Sequence, residues 1–269
     1  MEVLSKSVLL DGEANTYTLN ISISPSPSTF YIQYDGETYY NAYSSTIEAG
    51  TSVYYYIYHG TYGTTSGYIT MDSDKTLTCT GTYSTTTSEA SYSTPHNLTA
   101  NGTIGGSSFA VTGSTTSTQW KAFDGNTTGT YDYWNPKNSW GAVPEGTYIE
   151  LYYPTAVKIK SVRFLNRAAY EGKAPGSWTF YYSNDGSSWT EISSGTNTNQ
   201  SKGNDGGTWT VTGISNSSTN TYYFHKYYKF TFGTDWTGTT AAYAGVQEMY
   251  PSAYYRTSSY TYYWYTSIT

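Results

Sequence analysis

The segment from Lys121 to Trp134, KAFDGNTTGTYDYW, gathers residue types that could hold a hard cation. Asp124 brings a carboxylate and Gly125 permits a tight turn with positive φ. Asn126, Thr127, Thr128 and Thr130 add further oxygens. Ca²⁺ takes about six to eight such ligands, backbone carbonyls among them. An Asp-Gly-Asn loop by itself reads as a plain turn, so its meaning depends on what the rest of the chain brings to it.

Other chemistry is thinner. Asp132, Glu145, Glu171, Asp205 and Asp235 are scattered over loop-like stretches, and pairing any two as an acid–base dyad would be arbitrary. Neither a Gly-x-Ser-x-Gly elbow, a His-Glu-x-x-His pair nor a phosphate-binding loop is present. The expectation is a protein that is not an enzyme. His59, His96 and His225 show no ligand spacing and read as surface or half-buried residues. Cys79 is the single cysteine, so it reads as a small core residue without an intramolecular disulfide or a Cys-based zinc site.

The elements that must position the loop are strands. Of 269 residues only 12% are charged while 19% are aromatic, with 34 Tyr and 26 Gly. Disordered chains show the opposite balance, and Tyr and Thr favour strands punctuated by Gly turns. The reading is all-β. A net charge of −6 without Lys/Arg clusters argues against nucleic acid as a partner. No stretch reaches the length of a membrane helix, so no membrane partner is expected, and residues 1–11 lack the apolar run of a secretory signal.

Residues 1–83 read as a first, small β-sandwich. Tyr17, Leu19, Ile21 and Ile23 alternate with polar residues up to the proline-containing stretch 24–28. Phe30, Ile32 and Tyr34, then Val53, Tyr55 and Ile57, then Ile69 and Met71, then Leu77, Cys79 and Tyr83 continue the set. This part resembles the PEGA-type or carboxypeptidase-regulatory-like β-sandwich over about residues 24–83, carried by SPSTFYIQYDG at 26–36 and GYIT at 67–70. The resemblance implies an attachment module or spacer. Residues 84–96, rich in Ser and Thr without an apolar period, read as a linker.

Beyond 97 the strand candidates are Thr147–Pro154, then 156–165, where the alternation of Val157 and Ile159 slips before Val162 and Phe164 as at a bulge. Trp178–Tyr182 leads into the hairpin turn SNDGSSW at 183–189. Tyr227–Phe232 and Ala244–Tyr250 follow.

In their order, AFDGN at 122–126 with Trp134 downstream, YIEL at 148–151, IKSVRF at 159–164, SNDGSSW, YYKF at 227–230 and GVQEM at 245–249 resemble the discoidin family. That family is also called the F5/8 type C module, and it includes many galactose-binding-like carbohydrate-binding modules. The resemblance covers about 97–251 and implies an eight-stranded antiparallel jelly-roll sandwich. It implies a structural Ca²⁺ held by the Lys121 carbonyl, the Asp124 side chain, the Asn126 carbonyl, a threonine, the Gln247 carbonyl and Glu248. Gly129 stands where the family places its threonine, and Thr128 or Thr130 is the substitute. Without the cation, Glu248 would accept backbone N–H groups from the loop.

The resemblance also implies a glycan ligand at loops on one end of the sandwich. The candidates are Tyr133, Trp140, Asn166, Arg167, Tyr170, Glu171 and Trp236, with Tyr131 and Trp134 as further aromatic rings on the same stretch. Arg167 could clamp vicinal hydroxyls or serve as an ordinary surface residue. Trp134 matches a family tryptophan that mostly packs beneath the loop, and Trp178 and Trp189 read as packing.

These implications combine into an expected function. The chain is expected to be a non-catalytic surface protein of a virion, a phage fibre or head decoration, binding glycans on a host surface or mucus. Its expected location is the virion surface or the extracellular space, without a signal peptide. The alternative is a structural capsid, fibre or filament subunit. Residues 252–269 form an uncharged, tyrosine-rich strand or tail apart from Arg256, which would be an aggregation hazard if left open. A homo-oligomer with other assembly subunits as partners is therefore also expected.

Overall fold

The structure, a computed structural model, describes residues 14–114, 118–129, 132–136, 143–144, 146–168, 174–197, 199, 201–202, 207–212, 224–233 and 245–269. Strand dominates, as the composition requires. The chain divides into two compact units, one running to Thr86 and adding Ser258–Thr269, the other Thr87–Thr257.

In the first unit β1 (Thr16–Ser24), β2 (Thr29–Tyr34), β3 (Glu37–Tyr40), β4 (Ser44–Glu48), β5 (Ser52–His59) and β6 (Gly63–Thr70) precede β7 (Lys75–Tyr92). One sheet sets β1 antiparallel to β4 and parallel to β7. The other is wholly antiparallel in the order β3-β2-β5-β6. The period-2 alternation explains the layers: Leu19, Ile21, Leu77 and Cys79 from the first sheet meet Phe30, Ile32, Val53, Ile57 and Ile69 from the second in one core. Tyr83, which the sequence groups with Leu77 and Cys79, is 55% exposed.

Residues 84–92 correct the linker expectation. They continue β7, and Ser88 and Thr257 share a hydroxyl hydrogen bond of 2.7 Å. Residues 84–88 have no apolar period because neither face is covered, yet threonine still suits an extended strand, and Tyr92 beyond them packs half-buried against the second unit's core.

The second unit contains β8 (Ala110–Gly113), β9 (Thr147–Asn166), β10 (Ser177–Ser183), β11 (Thr190–Thr196), β12 (Thr208–Val211) and β13 (His225–Phe232). With the adjoining parts of β7 and of β14 (Val246–Ile268), these make eight strands among the described residues. β9 organises them. Its first part, 147–152, pairs with β13 and β8, while its second, 157–166, pairs with β14 and β12, all antiparallel. Pro154 lies between, where a missing N–H costs no ladder bond.

Ile149 and Leu151 from one part share a core with Val162 and Phe164 from the other, joined by Phe180, Phe230 and Met249. That is a two-layered sandwich. The bulge expected in 156–165 is present: Ser252 faces Ser161 and Ala253 faces Ile159, leaving Lys160 as the extra residue.

Candidate functional site

The Asp-Gly-Asn loop follows a 3-10 helix, Gln119–Phe123, whose last turn is closed by Asp124. Gly125 takes φ +79°, and a Cβ there would lie 2.6 Å from the His96 carbonyl oxygen, so only glycine fits. Asp124 Oδ1 accepts the Asn126 N–H at 2.8 Å. Asn126 Oδ1 accepts the N–H groups of Thr128 and Gly129 at 3.2 and 2.9 Å, and its Nδ2 donates to Asp132 at 2.7 Å. Lys121 Nζ meets the other Asp132 oxygen at 3.0 Å.

Strand β14 supplies the floor. Gln247 and Glu248 are fully buried. Gln247 Nε2 donates to the carbonyls of Asn126, at 2.7 Å, and of Asp132, and its Oε1 accepts the Ala168 N–H. Glu248 Oε1 accepts the Gly125 N–H at 2.5 Å, and Oε2 bonds His96 Nδ1 at 3.1 Å. His96 also lies against Tyr250 and Phe123.

Burial, and then hydrogen bonding and repulsion from the Glu248 and Asp132 carboxyls, push Asp124 up to about 6, against the Asn126 N–H that favours its ionised form. The Lys121 ammonium holds Asp132 below the usual carboxylate range.

Lys121, Asp124, Asn126, Gln247 and Glu248 are thus brought together. Thr128 is exposed and joins through its amide, while Thr130 lies outside the described residues. Among the described residues no three His, Cys, Asp or Glu side chains form a metal-holding group. A cation here would rest on Asp124 and Glu248 with backbone oxygens. Carboxylate and carbonyl oxygens are the donor type Ca²⁺ takes, but here both Glu248 oxygens already bond the Gly125 N–H and His96. The Asn126 carbonyl, one expected ligand, already accepts from Gln247.

The expected sugar contacts need correction. Asn166 is buried, with Nδ2 donating to the Asn199 and Ser201 carbonyls and Oδ1 accepting the Trp209 indole N–H. Its polar atoms pin a neighbouring loop. Arg167 is fully buried with its guanidinium 4.0 Å above the Tyr133 ring, so neither is an open sugar contact. The sequence shows a strand end followed by a forked donor but not the burial that covers it. Trp134 is fully buried, as the family pattern implies. Trp140, Tyr170, Glu171, Trp236 and Tyr131 lie outside the described residues.

An open groove lies elsewhere in the second unit. A cavity of about 350 Å³ is lined by Ser177, Trp178, Thr179, Tyr181, Thr231 and Gly233. Register explains its polarity: Thr179 faces Thr231, which faces Tyr148, and in the next row Tyr181 faces Lys229, which faces Glu150. Lys229 sits 3.9 Å from the Trp189 ring centroid and 5.6 Å from Tyr181 and Tyr148. Burial lowers Lys229 and raises Glu150, and each opposes the shift of the other. Sequence reasoning missed these residues; the alternation Thr179/Tyr181 and Lys229/Thr231 was the available signal, but it needed strand register.

No family model and no curated protein matches the chain. Similar solved structures are discoidin-like family 32 carbohydrate-binding modules. The module of Clostridium perfringens NanJ in complex with galactose is 18% identical, with 54% of this chain and 93% of that one covered and a TM-score of 0.37. A second Clostridium perfringens module, bound to GalNAc-β-1,3-galactose, is 16% identical over 64% and 94% at 0.35. The AlyQ module, in complex with 4,5-unsaturated mannuronic acid, is 19% identical over 59% and 98% at 0.36.

Proposed function

We propose that the second unit is a non-catalytic glycan-recognition module whose ligand lies in the groove beside Thr179, Tyr181 and Thr231. The groove itself carries this reading: aromatic surface for a sugar's C–H face stands beside Thr179 and Thr231 hydroxyls, with Lys229 and Glu150 in the adjoining row. Ca²⁺, where bound, would hold the Asp124 loop and perform no chemistry. Display on a virion or comparable extracellular surface belongs to the same proposal and rests on the family resemblance of residues 97–251.

The test is a glycan array probed with the full chain in Ca²⁺. Retention of a defined sugar, weakened about tenfold or more by Tyr181→Ala, supports the reading. Failure to bind any glycan overturns it.

A further inference from the structure

We propose that the outward face of the β3-β2-β5-β6 sheet in the first unit is a second binding surface, shaped for a neutral, extended polysaccharide laid across the strands. This goes beyond the groove of the second unit and stands on different residues.

Register places Tyr40, Tyr31, Tyr56 and Ser66 in one row across the four strands. The next row is Thr38, Gln33, Tyr54 and Tyr68. The opposite face of the same strands carries Phe30, Ile32, Val53, Ile57 and Ile69 into the core, so these rows face away from it. Solvent-facing rows of antiparallel sheets ordinarily include charges, which also protect against unwanted pairing. In these four strands every outward position is Tyr, Thr, Ser or Gln, although the chain as a whole carries −6.

The rings form a connected series. Tyr40 and Tyr31 are 5.5 Å apart, Tyr31 and Tyr56 5.0 Å, Tyr31 and Tyr54 6.3 Å, and Tyr54 and Tyr68 5.1 Å. That spacing is the strand-to-strand spacing of the sheet, so the rings join into one continuous aromatic surface. The outer strands bear the most open rings, Tyr40 at 67% and Tyr68 at 72% exposed. A sugar chain crossing the sheet would meet aromatic surface at both margins and phenol hydroxyls between them. The Gln33 amide, fixed by its 2.9 Å bond to Thr38, adds a polar contact within the second row.

Charge selects the ligand class. A neutral face offers no counter-ion to an acidic polysaccharide and no partner for a charged protein surface, whereas hydroxyl-rich neutral glycans match both its rings and its hydroxyls. Large exposed aromatic patches of this kind mark binding surfaces.

The experiment measures depletion of the full chain from solution by microcrystalline cellulose, chitin and starch granules, with alginate as the acidic control. Retention on at least one neutral polysaccharide but not on alginate is expected. The double variant Tyr40→Ala/Tyr68→Ala should weaken it by about tenfold or more. Thr38→Glu, which puts a charge on the face without removing a ring, should weaken it as well, with the melting temperature checked for both. An excess of mixed free monosaccharides, the probe for the second unit's groove, should leave retention intact.

Absence of retention on all three neutral polymers overturns the proposal. So does undiminished retention by the folded variants, or a fall in sedimentation mass on substitution without loss of retention, which would mark a self-association face.

Discussion

Two Asp-Gly turns in the second unit share a backbone and differ in nearly everything else. Gly125 and Gly186 have φ of +79° and +75°. Asp185 is exposed, and its carboxylate accepts the N–H groups of Ser187 and Ser188, both at 2.7 Å, and the Ser183 and Ser188 hydroxyls. Those donors hold it far below the usual carboxylate range. Asp124 accepts the Asn126 N–H but is half-buried beside Asp132 and Glu248, and is raised to about 6. One turn is complete within itself. The other leaves a charge whose stabilisation must come from elsewhere, which is the environment a cation would answer.

The largest expected effect that would sharpen this contrast comes from the floor of the Asp124 loop. Gln247→Ala strands the Asn126 and Asp132 carbonyls and the Ala168 N–H in a buried place, and should cost about 3 kcal/mol by denaturant unfolding. A loss under about 1 kcal/mol would mean that the loop does not depend on β14.

Next come the glycines. Gly125→Ala adds a clash with the His96 carbonyl to left-handed strain and should cost about 2–3 kcal/mol. Gly186→Ala, whose Cβ meets Tyr227 ring carbons at 3.0 Å, should cost about 1 kcal/mol. Equal costs would erase the distinction.

The two aspartates should give opposite pH dependence in chelator-treated protein. Asp124 is raised from 3.8 when folded, so between pH 4 and 6 the folded state binds more protons and stability falls as pH rises. Asp124→Asn should remove that slope. Asp185 is depressed, so its contribution is present above 3.8 and is lost as pH falls below it. Asp185→Asn should remove the acid-side loss. Melting temperature followed across pH for both variants checks the signs.

The smallest effect is from metal: Ca²⁺ should raise the melting temperature of the wild type by a few degrees, and Asp124→Asn, unlike Asp185→Asn, should abolish the rise.

The sequence made the strands legible because alternation reports a single covered face. Leu19/Ile21, Phe30/Ile32 and Val53/Tyr55/Ile57 are buried where the period places them. The meeting of Asp124 with Glu248 followed from a family pattern. Residues 84–88 were illegible as strand because both faces are exposed Ser and Thr, which hid the link to the packed Tyr92. Tyr133, Asn166 and Arg167 misled because ring and fork chemistry look the same in a string whether covered or open. Thr179, Thr231 and Lys229 were hidden by register, a property of pairs of strands that no single segment records.

Crystals of the full chain soaked in mixed monosaccharides test the central claim most directly. Density for a pyranose ring should appear against Tyr181, with its hydroxyls at Thr179 and Thr231. A groove holding only water, with sugar bound elsewhere in the second unit, would contradict it.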